Sequence, residues 1–137
     1  MAFPASILMG TVLLAAVPAE AQDSLPSHIT ELFDAYVDLP VTLVPVLRSV
    51  TDEKSATSAA PRLRVELTKL YHVREALKKV SSLTPQQSEL VRKRYEKDMR
   101  EQWGKVYTEI FRLRQQKCYG SSEFASLYRI MCMMLDK

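Results

Sequence analysis

The imidazole and sulfur side chains whose placement raises metal, haem or disulfide chemistry are His28, His72, Cys118, and the run Met131-Cys132-Met133-Met134. Thioethers with a thiolate suit copper(I). On a helix, however, consecutive residues point about 100° apart, so the four sulfurs of that run do not converge. Met131 and Met134 share a face, with Cys132 on its flank as the thiolate a metal would take. The ligand set is incomplete without residues from elsewhere. Phe124, Leu127, Tyr128 and Leu135 fall on the same face at helical spacing, and methionine in such a stripe is ordinarily core filler. Packing is therefore the first reading of the run, with no cofactor expected. Ile130 and Met133 lean to the polar side and are the candidates for a partner contact.

Haem supplies the competing reading. No C-x-x-C-H is present, which excludes covalent c-type attachment. In an up-down bundle the start of the first helix and the end of the last lie at the same end. His28 with Met131 or Met134 would then form the axial pair of a haem-b or copper(I) carrier. That expectation rests on fold-level analogy, not on a motif. His72, between Tyr71 and Val73, reads as a partly exposed helix residue.

Catalytic constellations are missing. The chain has two histidines, no G-x-S-x-G, no H-E-x-x-H and no clustered Cys/His ligands. Its three glycines, Gly10, Gly104 and Gly120, are scattered, which excludes Gly-rich phosphate loops. Glu31, Asp34 and Asp38 share a helix face, but acid–base work needs one of them buried with a shifted pKa. A solvated acidic face is the commoner arrangement, and no enzyme activity is expected.

The N-terminus reads as an address. Ile7 to Val17 is an apolar core followed by Pro18 and the small-x-small pattern Ala19-Glu20-Ala21. Such a run is shorter than the roughly 20 residues that span a bilayer and typical of a signal peptide. The usual positive n-region is only the terminal amine, since no Lys or Arg precedes Arg48. Residues 1–21 are expected to be a cleaved export signal, leaving one domain, 22–137, in the periplasm or outside the cell, with no transmembrane segment. That mature chain holds nineteen bases against fifteen acids, +4.

Charge is unevenly placed. Residues 22–61 carry two bases and six acids, whereas 62–117 carry fifteen bases and seven acids. Arg62, Lys69, Lys93, Lys97 and Arg100 are the candidates for an electrostatic surface toward an anionic envelope component or a protein. Tyr95, Trp103 and Tyr107 interleave with these bases but lie on the apolar stripe, so nucleic acid is not expected.

The elements that position these residues read as helices throughout, and the spacing predicts an all-α, irregular up-down bundle of about four. Ser27 is expected to cap a first helix carrying Ile29, Leu32, Phe33, Tyr36 and Val37, which Pro40 and Pro45 should break or kink. Pro61 suggests that the regular part of a second helix, with Leu63, Leu67, Leu70, Leu77 and Val80, begins or bends there. Thr84, Pro85 and Gln87 spell a capping box and open a long third helix with Val91, Tyr95, Met99, Trp103, Val106, Ile110 and Leu113 on one stripe. Tyr107 and Phe111 should widen that stripe, and Gly104 should mark a close helix approach. Gly120 stops this helix, and Ser121 or Ser122 caps a last one. Along that last helix Cys132 lies about 15 Å beyond its start. A disulfide tolerates Cα separations of only about 7 Å. Free thiols or a disulfide-linked homodimer then remain, and Cys118, on a turn, is the better placed for a link between chains.

Overall fold

The computed structural model describes residues 24–80 and 82–136, so the leader reading falls outside the described residues. Among these the chain is all-α: α1 Ser27–Arg48, α2 Glu53–Lys78, α3 Pro85–Gln115 and α4 Ser122–Leu135, with no strand. A short 3-10 turn, Lys117–Gly120, joins α3 to α4.

α1 packs against both α2 and α3, while α4 sits on α2. α4 also reaches α3, where the Tyr128 hydroxyl donates to the Ile110 carbonyl at 2.9 Å. The four helices bury one core, with Leu43, Leu47, Leu63, Leu70, Leu113, Phe124 and Met131 closed from solvent. The packing reading of the methionine run therefore holds for Met131.

α1 does not break. It runs through Pro40 and Pro45, correcting the expected interruption. Pro40 cannot donate to the Tyr36 carbonyl four residues earlier. The Trp103 indole N–H does so instead, at 3.0 Å, so α3 supplies the bond that the proline removed. Pro45 lies on the exposed side of the helix, where water can take the carbonyl freed at Val41. Ser27 is not the cap either: Pro26 occupies that position, and its carbonyl accepts from Ile29 and Thr30.

α2 starts eight residues before Pro61. Asp52 accepts from the Ser55 amide at 2.7 Å, and Ser55 Oγ accepts from the Asp52 amide at 3.0 Å. This reciprocal cap fixes the start, and its hydrogen bonds hold the Asp52 carboxyl below the usual carboxylate range. α3 opens with the expected Thr84–Gln87 box, at 3.0 and 3.1 Å. It buries Tyr95, Trp103, Val106, Ile110 and Leu113, but Tyr107 and Phe111 stand half-exposed, not in a widened core. Gly104 is exposed as well. A Cβ there would meet nothing within 4 Å among the described residues, so it marks no close approach of these helices.

Between α3 and α4, Lys117, Cys118 and Tyr119 have φ of 53°, 53° and 55°, and Gly120 has φ of 82°. A left-handed residue with a side chain costs roughly 1–2 kcal/mol. The neighbouring contacts hold the turn: Cys118 is buried, and the Tyr119 hydroxyl accepts from Arg112 at 3.1 Å. Arg112 also donates to the Leu47 and Val50 carbonyls, each at 2.9 Å, and to Glu109 at 2.9 Å. One guanidinium thus closes the end of α1, neutralises a buried carboxylate and steadies the turn. Ser121 caps α4.

Candidate functional site

The lengths of α3 and α4 decide where the surface opens. At 1.5 Å per residue α3 runs for about 46 Å and α4 for about 21 Å. α4 lies across the gap between α2 and α3 and stops near Tyr107, whose hydroxyl is pushed up by burial and by the neighbouring Tyr36 and Asp136. Beyond that point a cleft of about 370 Å³ remains, lined by Phe33 and Tyr36 of α1, Arg74, Leu77 and Lys78 of α2, and Met99 of α3. Its floor is anchored to α3 by two ring stacks, Phe33 on Tyr95 at 5.3 Å and Tyr36 on Trp103 at 4.9 Å.

Next to it, on the α2–α4 face, lies a second hollow of about 190 Å³ lined by Tyr71, Arg74, Glu75, Lys78, Ile130, Met133 and Met134. Arg74 and Lys78 border both, so the two form one strip. Tyr71 is 53% exposed, Ile130 47% and Met133 63%. Each turns an apolar surface to solvent beside a cation. Lys78 donates to Glu75 at 2.9 Å, and that hydrogen bond holds the Glu75 carboxyl below its usual range. Aromatic, methionine and arginine side chains are the types enriched where proteins meet.

The structure brings Ile130 and Met133 together, as the sequence placed them, and adds Tyr71 and Arg74. Nothing in the spacing of α2 distinguishes Tyr71 from a core aromatic, and Arg74 reads there as an ordinary solvated base. Lys93, Lys97 and Arg100 are exposed on α3, and Arg100 pairs with Glu96 at 3.1 Å. Lys69 is engaged by the buried Glu66 at 3.2 Å, and Arg62 donates to Ser49 at 3.2 Å.

The His28 constellation is not assembled. His28 is exposed in the first turn of α1, Met131 is sealed in the core, and Met134 and Cys132 are half-buried at the end of α4. That end lies beside Tyr107 and Tyr36, and Tyr36 is eight residues, about 12 Å, along α1 from His28. The geometric reason is the shortness of α4, which stops before the level of His28. Among the described residues no group of three or more His, Cys, Asp or Glu gathers to hold a metal ion. Asp34, of the acidic face, accepts from the Tyr95 hydroxyl at 2.9 Å, a packing role.

Cys118 and Cys132 are free thiols. Cys118 is 4% exposed, so a link between chains through it requires the turn to open. Burial, with Cys132 nearby, pushes its thiol up, against a smaller opposing effect of Arg129. Among the described residues no helix is long and apolar enough to cross a membrane. No family model, curated protein or solved structure matches this chain.

Proposed function

We propose that this protein is an exported, non-catalytic binding module of the cell envelope or extracellular space, which engages its partner through the strip from Met133, Ile130 and Tyr71 to the cleft below α4. The observation that carries this reading is the gathering of three exposed large apolar side chains from two helices around one hollow, continuous with a second. Exposed apolar patches rimmed by polar groups mark interaction sites. Support for export comes from the apolar run Ile7–Val17 with Ala19-Glu20-Ala21. The absence of catalytic parts supports a binding role over catalysis, and the partner is a protein or an anionic envelope component.

The test is site-directed photo-crosslinking in cells producing the full-length chain. A diazirine amino acid replaces Met133 or Tyr71 and, as a control at the opposite end of α4, Glu123. Positions 133 and 71 are expected to give the same discrete adduct, and position 123 none. The uncrosslinked protein should have the mass of residues 22–137. Equal labelling from all three positions, or none from 133 and 71, would remove the strip as the binding surface. A mass that retains residues 1–21 would remove the cleaved-export part of the reading alone.

A further inference from the structure

Along one side of α3 the residues Lys93, Lys97, Arg100, Gly104, Tyr107 and Phe111 follow one another at intervals of 4, 3, 4, 3 and 4, and all six are exposed. Such spacing keeps side chains on a single helix face, as in the seam of a coiled coil. The face is divided. Three cations lie on one side of its midpoint; a glycine and two half-exposed rings, Tyr107 at 50% and Phe111 at 59%, lie on the other. Glycine is the weakest helix former after proline. Among the described residues nothing occupies the space above Gly104, and no contact there accounts for it.

From this arrangement we infer that α3 pairs antiparallel with α3 of a second copy, about a two-fold axis midway between Arg100 and Gly104. A two-fold makes an interface self-complementary, each residue contacting the counterpart of its own contact. With the axis there, Arg100 lies over the partner copy's glycine notch, Lys97 over its Tyr107 ring and Lys93 over its Phe111 ring, and the same contacts recur in reverse. The glycine gives the guanidinium room, and each remaining cation meets the face of a ring, an attractive arrangement. An acidic partner matches the three cations but leaves Gly104, Tyr107 and Phe111 unexplained. A second copy uses all six. This contact is separate from the α2–α4 strip and does not rest on it.

The test uses the full chain as recovered from cells. Sedimentation velocity over a concentration series is expected to show a monomer–dimer equilibrium. Gly104→Gln and Phe111→Ala should each weaken it by about tenfold or more, since every contact is lost twice. Gly104→Gln should leave the thermal midpoint of the monomer unchanged or higher, because the site is open and glutamine is the better helix former. Register is read by mild oxidation: an equimolar mixture of Lys97→Cys and Tyr107→Cys chains should form a disulfide-linked pair, while each variant alone stays at the wild-type background. A chain that is monomeric up to its solubility limit overturns the inference. So does a dimer that survives both substitutions, which places the contact elsewhere, and so does crosslinking of Lys97→Cys with itself, which requires another register. Salt-sensitive retention on a polyanion without any dimer assigns the same cations to an anionic ligand and equally overturns it.

Discussion

The two halves of this bundle are built differently. Between residues 39–70 and 103–131 all four helices contribute to one buried cluster. Toward the start of α1, Ile29, Val37 and Tyr95 are the buried apolar side chains that stand apart from it among the described residues. There Phe33, Tyr36, Leu77 and Met99 line an open cleft. The difference comes from α4, which has 14 residues against the 31 of α3 and so closes only one half. Where four helices meet, the inward faces close over one core, although Val41, Val65 and Phe111 still face solvent on its outside. Where three meet, the inward face itself stays open as the cleft, and the candidate site lies along that boundary.

Deleting one ring in each half should expose the contrast most strongly. Phe124→Ala, in the closed half, is expected to cost about 3–5 kcal/mol. Phe33→Ala, half-buried on the cleft floor, should cost about 1 kcal/mol. Chemical denaturation of both variants measures the gap, and equal losses would erase the distinction. Next in size is Arg112→Ala, which strips two helix-end carbonyls and a buried carboxylate of their shared donor. A loss of about 2–3 kcal/mol is expected, following the worth of hydrogen bonds to charged groups. Trp103→Phe keeps the ring against Tyr36 but removes the donor to the carbonyl that Pro40 leaves open. Denaturation should show a loss of about 1–2 kcal/mol.

The smallest effect is chemical rather than energetic. Alkylation at neutral pH should modify half-buried Cys132 well before Cys118, whose thiol is buried and pushed up. Its thiolate fraction, and so its reactivity, rises only at a pH above the ordinary thiol range. Peptide mapping of a brief iodoacetamide treatment reads this directly, and equal rates would contradict the burial of the turn.

Much of this was legible in the residues. The Thr84–Gln87 box, the stripe from Tyr95 to Leu113 and the core face of α4 all follow local rules, and the structure realises each. The continuity of α1 through its prolines is not legible, because a proline's lost hydrogen bond has no local replacement within one helix. Its replacement, Trp103, is distant in sequence, and no local pattern reports it. The start of α2 is legible in Asp52 and Ser55, whereas Pro61 sits inside the helix and marks no boundary. The left-handed turn at Lys117–Tyr119 carries no glycine until its end, so composition gives no sign of it. For the site, Ile130 and Met133 were visible as apolar residues off the α4 stripe. Tyr71 and the cleft were not, because they depend on where α4 stops relative to α2 and α3, a tertiary quantity. The exposure of Tyr107, Phe111 and Gly104 is not legible either, since spacing cannot tell an exposed stripe from a buried one.

The most direct test of the division into a closed and an open half is native-state hydrogen exchange of the full chain, read peptide by peptide. The closed half should exchange only through global unfolding, so peptides from 103–113 and 124–131 should share the slowest rates and the full denaturant dependence. Peptides from 86–98 and 72–80 should exchange faster, through local opening that denaturant hardly affects. Uniform protection along the whole of α3 would contradict the account, because the lower half would then be as closed as the upper.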